Sequence, residues 1–152
     1  MSDTIDIRRA TPTDFAFIVE SNIAMAQETE GLSLDEARVR AGVGAVLADS
    51  ALGFYLIAEI DGSPAGQLMV TYEWSDWRNG LWWWIQSVYV RPEHRRKGVY
   101  TALHRHVAEA AQAEDGVCGI RLYVEQDNTT AQQVYESLDM YRTRYQMYEI
   151  EF

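Results

Sequence analysis

The chain has 152 residues and a formal net charge of −10, from 13 Lys and Arg against 23 Asp and Glu. This length predicts a single domain, 1–152, with a core that needs no metal or disulfide. The acidic composition argues against nucleic acid as a partner. No apolar run approaches the roughly 20 residues that cross a membrane, and the N-terminus lacks a secretion-signal pattern. We therefore expect a cytoplasmic protein with no nucleic-acid or membrane partner.

Hydrophobic periodicity and turn residues predict an alternation of strands and helices. The predicted strands span 5–7, 53–60, 65–74, 81–90 and 118–125, with one or two closing strands over 141–152. The predicted helices span 11–30, 33–47, 98–114 and 129–138. This order is typical of an α/β fold, a central mixed sheet flanked by about four helices.

The charge is unevenly distributed. Residues 91–105 hold five basic residues and one acid, a sum of +4, so the remaining 137 residues sum to −14. This basic island contains Lys97, which is the only lysine in the chain. A compact basic island in an acidic protein indicates an anionic ligand of limited size. The alternative is a solvated charge cluster at the start of a helix.

The island lies between a buried strand and a helix start. Unpaired amides and the dipole make a helix N-terminus attractive to anions, and Gly98 lets a ligand approach the backbone. The side chains of Arg95, Arg96 and Lys97 add positive charge. The combination suits a phosphate or pyrophosphate, although neither a Walker A loop nor a GxGxxG fingerprint is present.

These residues carry a resemblance to a known family. The loop Arg95-Arg96-Lys97-Gly98-Val99-Tyr100 resembles the (Q/R)xxGx(G/A) pyrophosphate loop of the GCN5-related N-acetyltransferases, the GNAT superfamily. The preceding Val88-Tyr89-Val90-Arg91-Pro92 resembles that family's central strand, and the stretch from Asn128 through Tyr135 to Leu138 resembles its NxxAxxxYxxxG motif. Two positions depart from the family pattern: Tyr100 replaces a small residue, and Asp139 replaces a glycine.

The resemblance implies an acyl-CoA N-acyltransferase fold that binds acetyl-CoA as co-substrate in a V-shaped gap between strands 81–90 and 118–125. Backbone groups around Val88, Tyr89 and Val90 would pair with the pantetheine arm. Side chains and amides of the loop would hold the pyrophosphate, and the implied residues are Arg95, Arg96, Lys97, Gly98, Val99, Tyr100 and Thr101. Asn128 would bind the arm, cap the last helix, or both.

The chemistry implied is direct attack of an amine on the thioester, with no acyl-enzyme. An alkylammonium has a pKa of about 10.4, so only about one molecule in two thousand is neutral at pH 7, and a base is needed. Glu73 is the first choice, acting through water, and Glu28 and Glu30 are alternatives. Tyr135 matches the family tyrosine that protonates the departing thiolate, and a core aromatic is its alternative role.

The acceptor is expected to be a small primary amine, because Glu28, Glu30, Glu73 and Asp76 could attract a cation. A protein N-terminus or lysine remains open. Trp77, in a turn, is the tryptophan assigned to acceptor binding, while core packing explains most of the other four. His104 and His106 are expected to be solvated, no metal site is predicted, and a homodimer is a common state of similar folds. The rival functions are an inactive acyl-CoA sensor and a plain nucleotide-binding domain.

Overall fold

The structure is a computed structural model that describes residues 4–152. The chain forms two compact units, Met1–Leu122 and Tyr123–Phe152. The first unit contains the sheet and three helices, and the second contains one helix. The prediction of a single domain therefore stays a prediction.

The sheet of the first unit has five strands in the order β1-β2-β3-β4-β5. All neighbours are antiparallel except β4 and β5, which are parallel. The strands are β1 Ile5–Arg9, β2 Phe54–Ile60, β3 Ser63–Ser75, β4 Gly80–Val90 and β5 Val117–Arg121. The parallel pair is connected through a helix, as parallel strands require. The predicted mixed sheet is thus confirmed.

Four α-helices accompany the sheet, as predicted: α1 Phe15–Glu30, α2 Glu36–Ala48, α3 Val99–Ala113 and α4 Thr129–Ser137. A short 3₁₀ turn, Pro12–Asp14, precedes α1, and Gly31 ends α1 in the left-handed conformation that glycine favours. The second helix begins later than expected because Asp35, rather than Ser33, caps it by accepting from the amides of Ala37 and Arg38.

Each face of the sheet buries its own apolar cluster. On one face α3 contributes Val99, Leu103 and Val107 to a cluster with β2, β3 and β4. On the other face α1 and α2 pack against Tyr55 and Ile57 of β2. Helices therefore pack against both faces of the sheet.

Two strand predictions fail at the C-terminal side. The strand predicted over 118–125 ends at Arg121, and no strand is present after Arg121 in the part of the chain that the structure describes. Alternating apolar residues favour an extended chain, but a strand also needs a partner for its backbone N–H and C=O groups. The closing strands predicted over 141–152 are therefore wrong for this single chain.

Within residues 4–152, no helix is both long enough and apolar enough to cross a lipid bilayer.

Candidate active site

The sheet opens between β4 and β5. The last residue of β4 that pairs with β5 is Trp84, opposite Arg121. Residues 85–90 of β4 continue along β3 but have no pairing with β5. At about 3.3 Å per residue, six residues leave roughly 20 Å of strand with one unpaired edge. This opening corresponds to the V-shaped gap that the sequence resemblance implies.

A bulge in β4 lies within the opening. Gln67 of β3 pairs with Tyr89, but Met69 pairs with Gln86, so β4 contains one extra residue between the two pairs. Ser87, inside this bulge, has a φ of 52°, which a non-glycine residue seldom adopts. The bulge re-aims the backbone of β4 just before Val88, one of the residues expected to pair with the pantetheine arm.

A buried side chain holds the bulge in place. The amide nitrogen of Gln67 donates to the carbonyl oxygen of Ser87 at 3.2 Å and to Oδ1 of Asn22 on α1 at 3.2 Å. Gln67 is 0% exposed, and its own Oε1 has no hydrogen-bond partner within residues 4–152. Burying a glutamine with one hydrogen-bond acceptor unsatisfied costs folding free energy. Gln67 is buried in spite of this cost, which indicates that its hydrogen bond to Ser87 is important for the shape of β4. Sequence analysis missed Gln67, whose only signal is a polar residue within an apolar strand.

The predicted phosphate loop directly follows the open end of β4. Arg96 and Gly98 both have left-handed backbone conformations, with φ of 63° and 80°. Alternating conformations of this kind turn successive N–H groups toward one point and form an anion-binding concavity. Gly98 is also the N-cap of α3, and the space around its missing Cβ is open. Arg96 and Lys97 are exposed beside it, so the loop fits a diphosphate.

Arg95 has a different role from its neighbours. Its guanidinium donates to the carboxylate of Glu28 at 2.7 Å and, through Nε, to the carbonyl of Val90 at 2.9 Å. The Tyr89 hydroxyl donates to the same carboxylate at 3.2 Å. The hydrogen bond from Arg95 holds the pKa of Glu28 below its usual value, whereas burial raises the pKa of Tyr89. This network ties α1 to the end of β4, and it places Glu28 in an ion pair.

Tyr100, the departure from the family pattern, lies against its own helix. Its hydroxyl is 3.1 Å from Nδ1 of His104, and the two rings meet edge to face with centroids 5.7 Å apart. His104 is only 5% exposed, so the expectation that it is solvated is wrong. Burial lowers the pKa of His104, which favours the neutral ring, and an Nδ1 without a proton can accept from the Tyr100 hydroxyl.

Glu73, on β3, pairs with Trp82 and so lies beyond the closed end of the opening, whereas the loop follows the open end of β4. Its Oε1 accepts from the indole Nε1 of Trp84 at 2.9 Å, and its Oε2 pairs with Arg121 at 2.7 Å. The guanidinium of Arg121 also stacks over the ring of Trp82 at 3.9 Å. The carboxylate of Glu73, which the sequence analysis predicts as the base, is thus held beside the last β4–β5 pair by Trp84 and Arg121. The sequence analysis assigned neither of these residues to the site.

The tryptophans divide as strand alternation predicts. Trp83 is buried against Phe54 on the α3 face, with ring centroids 5.3 Å apart. Trp82 and Trp84 lie on the other face, beside Glu73 and Arg121. Trp77 is in the turn before β4 and is 86% exposed.

The remaining predicted residues occupy ordinary positions. Thr101 is half-buried and Val99 is buried in the first turn of α3, while Glu30 is exposed at the end of α1. In the second unit, Asn128 caps α4 by accepting from the amide of Ala131 at 3.1 Å. Burial raises the pKa of Tyr135 on the same helix, so its hydroxyl is protonated at neutral pH. Within the described residues, no group of three or more potential metal ligands comes together.

Comparison with known proteins decides the family. The model of the acetyltransferase (GNAT) family matches residues 18–140. The chain belongs to this family. A crystal structure of a possible acetyltransferase from Clostridium difficile 630 is 44% identical, with a TM-score of 0.91 and 97% of each chain covered. Family membership makes the protein an acyltransferase of GNAT fold, and members of the GNAT family use acetyl-CoA.

More distant structures share the fold alone. A predicted acetyltransferase with acetyl-CoA from Clostridium acetobutylicum is 16% identical, with a TM-score of 0.77 over 97% of this chain and 96% of that one. The ribosomal-protein-alanine N-acetyltransferase from Brucella melitensis biovar Abortus 2308 is 19% identical, with a TM-score of 0.77 over 98% and 100%. Among curated proteins, no sequence matches the chain.

The loop assignment is tested by two substitutions of nearly identical shape. Asn and Asp both tolerate the left-handed conformation at position 98, and the open space there accepts either side chain. We expect Gly98→Asp to weaken CoA binding at least tenfold more than Gly98→Asn does, because both side chains occupy the same space and only the carboxylate repels the diphosphate. Calorimetric titration with CoA measures both, and equal affinities for the two variants would contradict the assignment.

Proposed function

We propose that this GNAT protein transfers the acetyl group of acetyl-CoA to the amine of a small molecule, by direct attack within a ternary complex. The observation that carries the proposal is the opening of the sheet after Trp84, which leads straight into the loop around Gly98. An unpaired strand edge suits the amides of a pantetheine arm, and a helix N-terminus with positive side chains suits its pyrophosphate. The residues proposed to hold acetyl-CoA are 88–90, 95–101 and Asn128.

In this proposal the protein supplies three things to the reaction. A backbone N–H near Val88, in the part of β4 that the bulge re-aims, polarises the thioester oxygen. Tyr135 donates a proton to the departing thiolate, because a tyrosine hydroxyl is protonated at neutral pH and burial, which raises the pKa of Tyr135, keeps it so. Cys118 is not required, because no acyl-enzyme forms.

Glu73 is proposed as the base that, through water, takes a proton from the acceptor amine. Both of its oxygens are already hydrogen-bonded, to Trp84 and Arg121, which fixes the orientation of the carboxylate. Glu30 and Trp77 are proposed to contact the acceptor, and Glu28 helps through its link to the loop rather than as an unpaired charge. A homodimer is the proposed assembly.

A turnover assay tests the proposal. CoA release from acetyl-CoA is followed with a thiol reagent across small primary amines, peptides with a free N-terminus, and peptides with a lysine side chain. We expect release with small amines. Release only with peptides would assign a protein acceptor instead. Acetyl-CoA binding without release for any amine would favour the sensor function, and binding of CoA no tighter than ATP or NAD would overturn the assignment.

The two proposed catalytic residues are tested with matched controls. Tyr135→Phe and Glu73→Gln should each lower kcat about 100-fold with little change in CoA affinity. The controls are Tyr72→Phe, another tyrosine whose pKa is raised by burial, and Glu59→Gln, another strand glutamate paired with an arginine; both should keep full kcat. Deprotonation of Tyr135 would remove the proposed acid, so kcat of the original protein should fall at high pH. Because burial raises the pKa of Tyr135, this fall should begin only above about pH 10. Undiminished kcat in either variant removes the role assigned to that residue.

A further inference from the structure

The peptide group between Ser87 and Val88 lies in the bulge of β4, and a buried side chain holds its carbonyl oxygen. The amide nitrogen of Gln67 donates to this oxygen at 3.2 Å. Gln67 pairs directly with Tyr89 in the register of β3 and β4, so Ser87, two residues earlier in β4, is its diagonal neighbour. The hydrogen bond therefore follows from the pairing of the two strands.

This hydrogen bond determines the direction of a backbone donor. Peptide groups are planar and trans, so the Ser87 carbonyl and the Val88 N–H lie in one plane and point in opposite directions. The backbone N–H of Arg91 donates to the carbonyl of Ala65, next to β3. Hydrogen-bonded residues alternate along an antiparallel pair, so Arg91 and Tyr89 face β3, and Val88 faces the open edge. Holding the Ser87 carbonyl thus directs the Val88 N–H to that edge.

The orientation of the Gln67 amide is determined by its two neighbours. A backbone carbonyl can only accept, and the same nitrogen donates to Oδ1 of Asn22 on α1 at 3.2 Å, so both of its hydrogens are used. A reversed amide would place the Gln67 oxygen against two other oxygens. The buried Oε1 therefore stays without a partner among the described residues, and the hydrogen bond to Ser87 is kept although an acceptor is left unsatisfied.

Asn22 anchors the Gln67 amide to α1. Asn22 is half-buried, and its side chain is hydrogen-bonded to Tyr55 of β2, which is itself buried. A glutamine side chain has several rotatable bonds and loses much freedom when it is ordered, so an anchor on its far side restricts the positions it can take. The series Tyr55, Asn22, Gln67 and Ser87 joins β2, α1 and β3 to the bulge of β4 through polar contacts.

We propose that Gln67, anchored by Asn22, is a positioning residue for acetyl transfer: its hydrogen bond to the Ser87 carbonyl aims the N–H of the same peptide group, that of Val88, at the thioester oxygen. The inference rests on the proposed function, in which this N–H polarises the thioester. A donor that is directed before the reaction needs no reorganisation during it. A peptide group whose carbonyl accepts a hydrogen bond is also a stronger donor, because hydrogen bonds in series polarise one another.

The thioester carbonyl of bound acetyl-CoA reports this donor without any turnover. A hydrogen bond to a carbonyl oxygen weakens the C=O bond and lowers its stretching frequency. Isotope-edited infrared difference spectra of acetyl-CoA labelled with carbon-13 at this carbonyl measure the frequency in the complex. The reference is an equally labelled thioester, S-ethyl thioacetate, in hexane, which offers no hydrogen bond. We expect the frequency in the complex with the original protein to lie below the reference.

Three variants and a control separate positioning from general stability. Gln67→Met keeps the length of the side chain but removes its donor. Asn22→Ala removes the anchor, whereas Asn22→Asp keeps an oxygen that can accept from Gln67. The control is Ser21→Ala, which removes a buried hydrogen bond within α1, from the Ser21 hydroxyl to the Phe17 carbonyl at 2.7 Å. This bond does not involve β4.

We expect Gln67→Met to lose at least half of the lowering in frequency and Asn22→Ala to lose a smaller part. Asn22→Asp and Ser21→Ala should keep the frequency of the original protein. A frequency that is unchanged in both Gln67→Met and Asn22→Ala would overturn the positioning role and leave the proposed function intact. If Gln67→Met does not fold, the spectra of Asn22→Ala and Asn22→Asp decide, and equal frequencies in these two variants would overturn the role.

The original protein tests the proposed function separately. A failure to bind acetyl-CoA would overturn the proposed function itself. Binding with a frequency no lower than the reference would show that no N–H polarises the thioester, and the role of Gln67 would be overturned with it.

Kinetics with the amine that gives turnover provide a second readout. Removing one oxyanion donor outright costs about 10²–10³ in kcat, so misdirecting one through Gln67→Met should lower kcat about 30-fold. The dissociation constant of CoA should stay within about threefold, because the loop around Gly98 still binds the diphosphate. An equal loss of kcat in Ser21→Ala, or a loss of CoA affinity as large as the loss of kcat, would show a general structural role and contradict the assignment.

Discussion

The parting of β4 from β5 is the constraint on which the site depends. Backbone N–H and C=O groups in a partly buried strand need partners, and after Trp84 no strand among the described residues pairs with β4 on the β5 side. The bulge at Ser87 lies within this opening, and the buried amide of Gln67 stabilises the bulge, although the oxygen of the same side chain is left without a partner. A ligand that lies along β4 can satisfy groups that folding leaves unpaired.

The charge sum of +4 over residues 91–105 does not by itself describe the charge around the loop, because neighbouring acidic side chains offset part of it. Arg95 is engaged by Glu28, so its charge is already offset, and in the proposed function the amides at the start of α3 carry a larger share of the attraction for a diphosphate. Two of the four acids expected to attract a cationic acceptor are similarly offset, because Glu28 pairs with Arg95 and Glu73 pairs with Arg121. The net charge of the chain is therefore a poor guide to the acceptor.

Much of the fold follows from the sequence, because local signals specify the helices, the β2–β3 hairpin and the loop around Gly98. The side-chain network could not be predicted. Gln67 and Ser87 are twenty residues apart, and Glu73 and Arg121 are forty-eight apart. Such contacts depend on the register between strands, which periodicity alone does not determine. The closing strands failed for a related reason, since a strand needs partners for its backbone groups as well as the right composition, and residues 141–152 belong to no strand in the described part of the chain.

Hydrogen exchange on the full chain tests the central claim most directly. With acetyl-CoA bound, the amides of residues 85–90 and 96–101 should gain protection, while residues 81–84, already paired with β5, should change little. Adenosine 3′,5′-diphosphate, which lacks the pantetheine arm, should not protect residues 85–90. Protection of the loop without any change in residues 85–90 on adding acetyl-CoA would contradict the account, because the open edge of β4 would then not be the binding surface.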